Sequence, residues 1–176
     1  MKTMTHRLIH FTAAACAALT LVSTAHAVDL RSWDRKINDT TRFVVLPAFG
    51  NQAVLDKETQ LVWQRSPTTA AYSFDVARGS CLASQLGGRM GWRLPTASEL
   101  RSLIDPSITS LVVPALPKGH PFTQVQAASK QYWTSTRHST LENRLAVALT
   151  PQPASVWGQL SNNHVFWCVR GPGTPD

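Results

Sequence analysis

The spacing of apolar residues changes period several times along the chain. Phe43 to Leu46 is a short β-prone run closed by Pro47. In "AVLDKETQLVWQR" (53–65) two apolar pieces flank Asp-Lys-Glu-Thr-Gln, which predicts a hairpin whose second strand is Leu61 to Gln64. The period then lengthens. Phe74, Ala77 and Cys81 recur on one helical face, Leu82 and Leu86 extend it, and Gly87-Gly88 ends it. Ser73 is placed as N-cap, with Asp75 in the first turn.

A second helix is predicted within "GWRLPTASELRSLID" (91–105). Pro95 forces Leu94 to arrive extended. Thr96-x-x-Glu99 is a capping box, in which the threonine oxygen accepts the Glu99 amide and the carboxylate accepts the Thr96 amide. Ala97, Leu100, Leu103 and Ile104 form its apolar stripe, so Trp92, Arg93, Leu94, Pro95, Thr96, Glu99 and Leu100 make one structural motif. Residues 106–130, with prolines at 106, 114, 117 and 121, read as a long loop, an uncommon and often functional feature of a compact domain. "QYWTST" (131–136), "RLAVALT" (144–150), "ASVWGQL" (154–160) and "VFWCVRG" (165–171) are strand candidates, punctuated by Pro151, Pro153 and Asn162-Asn163. Strands at both ends with two helices between them predict an α+β domain.

The start of the chain follows a different pattern. A short basic segment, an apolar run from Ala13 to Val22 and Ala25-His26-Ala27 predict a secretory signal over residues 1–27, cleaved after Ala27. The apolar run is too short to predict a transmembrane span. Lipid anchoring at Cys16 is the weaker alternative, because Ala13 stands where a leucine is normal. The expected location is periplasmic or secreted. Residues 28–51 read as an N-terminal leader with the first strand, and 172–176 as a flexible tail.

Removing Lys2 and Arg7 from the 17 basic residues leaves 15 against 10 acidic ones, a formal net charge of +5. These bases are dispersed, so nucleic acid is not an expected partner, whereas weak attraction to anionic glycans is. Signal removal also takes Cys16 and leaves Cys81 and Cys168. An even number of cysteines in an exported chain points to a disulfide, with two buried thiols as the alternative.

Metal and catalytic patterns are missing from the sequence. His120, His138 and His164 have no ligand spacing and no Asp-x-Asp-x-Asp run occurs, so no cofactor is expected, with weak calcium binding by loop carbonyls left open. There is no Gly-x-Ser-x-Gly elbow and no phosphate-binding glycine loop, so the chain is not expected to be an enzyme.

The ordered series "LVWQR", "SFDVARGSC", "GGRMGWRLPTASELRSLID", "YWTST" and "WCVRG" resembles the C-terminal domain of the Legionella collagen-like adhesin, a bacterial domain of unknown function. The resemblance covers residues 52–171. That family is similar to C-type lectin-like domains, which implies chain ends meeting in one sheet, two flanking helices and a long loop region. It also implies a disulfide from the first helix to the last strand, here Cys81 to Cys168. Phe74 stands where the family favours tryptophan, and Ser80 where an aromatic residue is common. The Glu-Pro-Asn, Gln-Pro-Asp and Trp-Asn-Asp triplets of calcium-dependent sugar-binding lectins are lacking.

The expected function is a non-catalytic binding or adhesion module for anionic polysaccharide or a cell-surface protein. Candidate ligand-binding residues are Arg137, His138, Arg144, Trp157, Asn162 and Asn163, a basic and aromatic patch. Trp63, Trp92, Trp133 and Trp167 are expected in the core. The alternative is a structural or interaction subunit of a cell-envelope assembly, and the third reading a relative of formylglycine-generating enzymes, which would need reactive cysteines. The sequence does not fix the oligomeric state.

Overall fold

The computed structural model describes residues 41–126, 129–139, 142–151 and 155–171, with side chains left aside at 155–157. The expected signal over 1–27, Cys16, residues 28–40 of the leader and the 172–176 tail lie outside the described residues.

The architecture is α+β with two antiparallel sheets. Strands β1 (Phe43–Val45), β2 (Ala53–Asp56) and β3 (Val62–Gln64) form a meander, and the terminal β7 (Val169–Arg170) adds beside β3. The register aligns Val44, Leu55, Val62 and Arg170 in one cross-strand row, with Val45, Val54, Trp63 and Val169 in the next. The second sheet orders β4 (Gln131–Arg137), β5 (Arg144–Ala148) and β6 (Ser155–Gly158). Single bridges from Tyr132 to Val165 and from Arg93 to Val169 lead the closing segment from one sheet to the other. Only Val169 and Arg170 of it become strand, so "VFWCVRG" is mostly irregular where its composition predicts a continuous strand.

Helix α1 (Phe74–Ala83) buries Phe74, Ala77 and Cys81. It stops before Leu86, which belongs to a 3-10 turn, and Leu82 is 48% exposed rather than part of the buried face. The Cys81–Cys168 disulfide joins α1 to the residue preceding β7, with α carbons 5.4 Å apart. Helix α2 (Ala97–Arg101) carries both capping-box bonds, Glu99 N to Thr96 Oγ1 at 3.2 Å and Thr96 N to Glu99 Oε2 at 2.8 Å. A further first-turn amide without a partner inside the helix is met from the neighbouring sheet, where Ala97 N donates to Thr136 Oγ1 at 2.9 Å.

Two clusters make the core. In one, Trp167 packs edge-on against Trp63 at 5.5 Å and against Phe122 at 4.8 Å. In the other, Trp133 meets Phe74 edge-on at 5.6 Å near Trp92, Ala77 and the disulfide. All four of these tryptophans are fully buried. Gly158 lets β6 approach Trp133, since a β carbon there would sit 2.7 Å from the indole.

The segment after α2 is tied to this core at several points. Asp105 N bonds Ala115 O at 2.7 Å, Ala115 N bonds Leu149 O at 2.8 Å, and Gln126 N donates to Tyr132 Oη at 2.8 Å. Buried Arg42 grips Asp56 through two bonds of 2.9 and 2.7 Å, which ties the residue before β1 to the end of β2.

Candidate functional site

Phe74, Arg78 and Leu82 are spaced four residues apart, so α1 presents them on one face. Opposite them stand Arg93 and Leu94 of the capping motif, Ser135 and Arg137 of β4, and Arg144 at the start of β5. Together they line a cleft of about 450 Å³ including its open mouth. Its apolar surface comes from Phe74, Leu82 and Leu94, and its charge from arginines.

The arginines are in different electrostatic states. Arg93 is paired with Glu99 in a two-bond fork of 2.8 and 2.7 Å. Arg144 is only 8% exposed, lies 4.8 Å over the Phe74 ring and donates to the carbonyls of Glu142 and Asn143. Burial holds its guanidinium below the usual arginine value. Arg137 and Arg78 push the same way, while Glu142 and Asp75 oppose them. Among the described residues, Arg78 and Arg137 form no ion pair with a carboxylate.

Arg137 and Arg144 are direct cross-strand partners. Like charges facing each other across a strand pair oppose folding, so this register has an energetic cost that a bound anion would relieve. Guanidinium groups beside an aliphatic and aromatic floor suit a ring that carries sulfate or carboxylate groups on an otherwise apolar face.

The remaining candidates are dispersed. His138 closes the β4–β5 connection, its amide bonded to Asn143 O at 3.1 Å, and does not line the cleft. Trp157 is the β6 partner of Leu145, and its side chain lies outside the described residues. Asn162 and Asn163 are exposed in the turn before His164, again away from the cleft lining. Of the cleft lining, the sequence reading names only Arg137 and Arg144 as ligand-binding; Phe74, Arg78, Leu82 and Ser135, with Arg93 and Leu94 of the capping motif, are added by the structure. The four-residue spacing of Phe74, Arg78 and Leu82 was the available signal, but Phe74 also reads as core.

Among the described residues, no three His, Cys, Asp or Glu side chains come together as a metal site. No helix among them is long and apolar enough to cross a membrane. A structural disulfide fits an extracellular or periplasmic compartment.

A family model described as the Lcl C-terminal domain matches residues 52–170. The chain belongs to the Lcl C-terminal domain family. No curated protein and no solved structure matches it. The Lcl C-terminal domain match takes in β2 through β7, both helices and both half-cystines. It leaves out β1 and Arg42, although both are integrated into the first sheet.

Proposed function

We propose that this Lcl C-terminal domain is an exported, non-catalytic binding module of adhesin type that recognises anionic polysaccharide. The observation that carries the reading is the convergence of Arg78, Arg137 and Arg144 on a cleft floored by Phe74, Leu82 and Leu94. Export follows from the signal read over residues 1–27 and agrees with the disulfide. A C-type lectin-like architecture is part of the same reading, supported by the terminal strands sharing a sheet and by the helix-to-end disulfide. The non-catalytic character is supported by the use in that bond of both cysteines that lie beyond the expected signal, which removes the thiols a formylglycine-generating chemistry would need.

Heparin affinity measured across a salt series tests the reading. Arg78→Ala plus Arg137→Ala should weaken binding and flatten its salt dependence, since both groups are exposed. Unchanged affinity would remove the proposal. The second reading, contact with an envelope or cell-surface protein, is favoured by one feature. Leu111, Val112 and Val113 are 69%, 78% and 53% exposed in consecutive positions. A specific partner lost on replacing these three by serine, with heparin binding absent, would select it.

A further inference from the structure

A second open cleft has the opposite chemical character. It lies where the start of β2, the end of β3, the Leu86 turn and the loop before β4 converge. Its framework is fixed by backbone bonds: Arg65 N to Gln52 O at 2.8 Å, Thr123 N to Arg65 O at 2.9 Å and Asn51 N to Leu46 O at 3.2 Å. No carboxylate is among the residues lining it.

Three carboxamides face this cleft with bonding capacity to spare. The Asn51 and Gln64 side chains make no hydrogen bond among the described residues, and Gln52 accepts only a long 3.4 Å bond from Gly87 N. Each amide offers two donor hydrogens and an acceptor oxygen in one plane. The one cation is Arg65. Its guanidinium is pinned by bonds to Pro121 O at 3.1 Å and Asn51 O at 3.3 Å. Ser66 and Thr123 are bonded to each other and so hold the rim together, and Leu86 supplies a small apolar surface.

Backbone strain marks the same place. Three non-glycine residues have positive φ among those described, and two of them border this cleft. Asn51 lines it at φ 60°, and Gln124, at φ 56°, accepts the Ser66 hydroxyl through its side chain. Left-handed backbone at non-glycine positions persists where surrounding structure enforces it, and it concentrates at ligand sites.

We propose that this cleft is a binding site for an uncharged sugar unit, separate from the arginine cleft. Adjacent hydroxyls on a pyranose donate and accept at neighbouring positions, which is the pattern that paired carboxamides satisfy. An anionic ligand would find a single guanidinium, two of whose N–H groups are turned to backbone carbonyls. The apolar face of the ring would rest on Leu86.

Ligand-observed NMR with maltopentaose and chitopentaose, on the exported chain in about 0.5 M NaCl where charge steering is screened, tests this. Saturation transfer to at least one of the two sugars is expected to persist at that salt. Gln64→Ala should weaken it about five- to tenfold, the loss of one or two hydrogen bonds. Asn51→Gly keeps the left-handed backbone available, removes only the carboxamide, and should weaken binding as well. Arg78→Ala plus Arg137→Ala should leave it unchanged. Absence of transfer from both sugars, or transfer unaltered by Gln64→Ala and by Asn51→Gly, overturns the proposal. Loss of heparin binding with neutral-sugar binding intact separates the two clefts.

Discussion

The Arg93 guanidinium is clamped by the Glu99 carboxylate through two bonds of 2.8 and 2.7 Å, and Glu99 Oε2 simultaneously accepts the Thr96 amide. One carboxylate thus closes the start of α2 and neutralises an arginine bordering the arginine-lined cleft. Glu99→Ala removes both functions and leaves Arg93 charged and nearly buried. Denaturant unfolding should show a loss of about 3–5 kcal/mol, the usual effect of breaking a buried pair from one side. Glu99→Gln retains an acceptor for the Thr96 amide and should lose less.

The Cys81–Cys168 bond closes a span of 87 residues. Loop-closure reasoning assigns such a bridge about 4–5 kcal/mol. Reduction, or Cys81→Ser with Cys168→Ser, is expected to lower the unfolding free energy by an amount of that order. Unreduced protein starting at Val28, and so lacking Cys16, should show no thiol reactive toward a chromogenic reagent. Two reactive thiols would favour the enzyme reading instead.

Acid should weaken the fold through two histidines. His120 and His164 are both held below the ordinary histidine value by burial. His164 packs edge-on at 4.5 Å from Trp133 with no hydrogen-bond partner for Nε2 among the described residues. Because their folded values are depressed, their full contribution is present above the unfolded value of about 6.5. It is lost as pH falls below that point toward the folded values. Unfolding free energy measured from pH 7.5 to 5 should therefore decline below about 6.5, and His164→Phe should flatten the decline.

Arg42 tests where the domain begins. It lies ten residues before the family match, yet it is 3% exposed and paired with fully buried Asp56. Arg42→Ala is expected to cost about 3–5 kcal/mol, because Asp56 stays buried without its counterion. A chain started at Gln52 would lose β1 as well and should be less stable still, as thermal melting would show.

The parts of this fold visible in the sequence were those set by local rules. The Thr96–Glu99 capping box needs only a three-residue spacing, and β4 and β5 follow from β-prone runs bounded by turn residues. The hairpin of β2 and β3 is announced by the polar turn between them. Features set by distant partners were not visible. Arg42 reads as part of a polar leader because nothing near it in sequence signals Asp56. Leu82 reads as buried because periodicity does not say how wide the covering surface is, and α1 is covered only along Phe74, Ala77 and Cys81. The arginine cleft was half legible. Arg137 and Arg144 stand out by type near a predicted turn, whereas Arg78 enters only once α1 is set against β4.

The register of the first sheet has a consequence for how the protein can be displayed. Val44, near the chain's entry into the sheet, and Arg170, near its exit, stand in the same row, three strand spacings or about 14 Å apart. Because β7 runs opposite to β1, both tethers emerge from a single pole. A stalk, tag or solid support joined directly before Arg42 or directly after Gly171 would therefore approach the sheet from that same end.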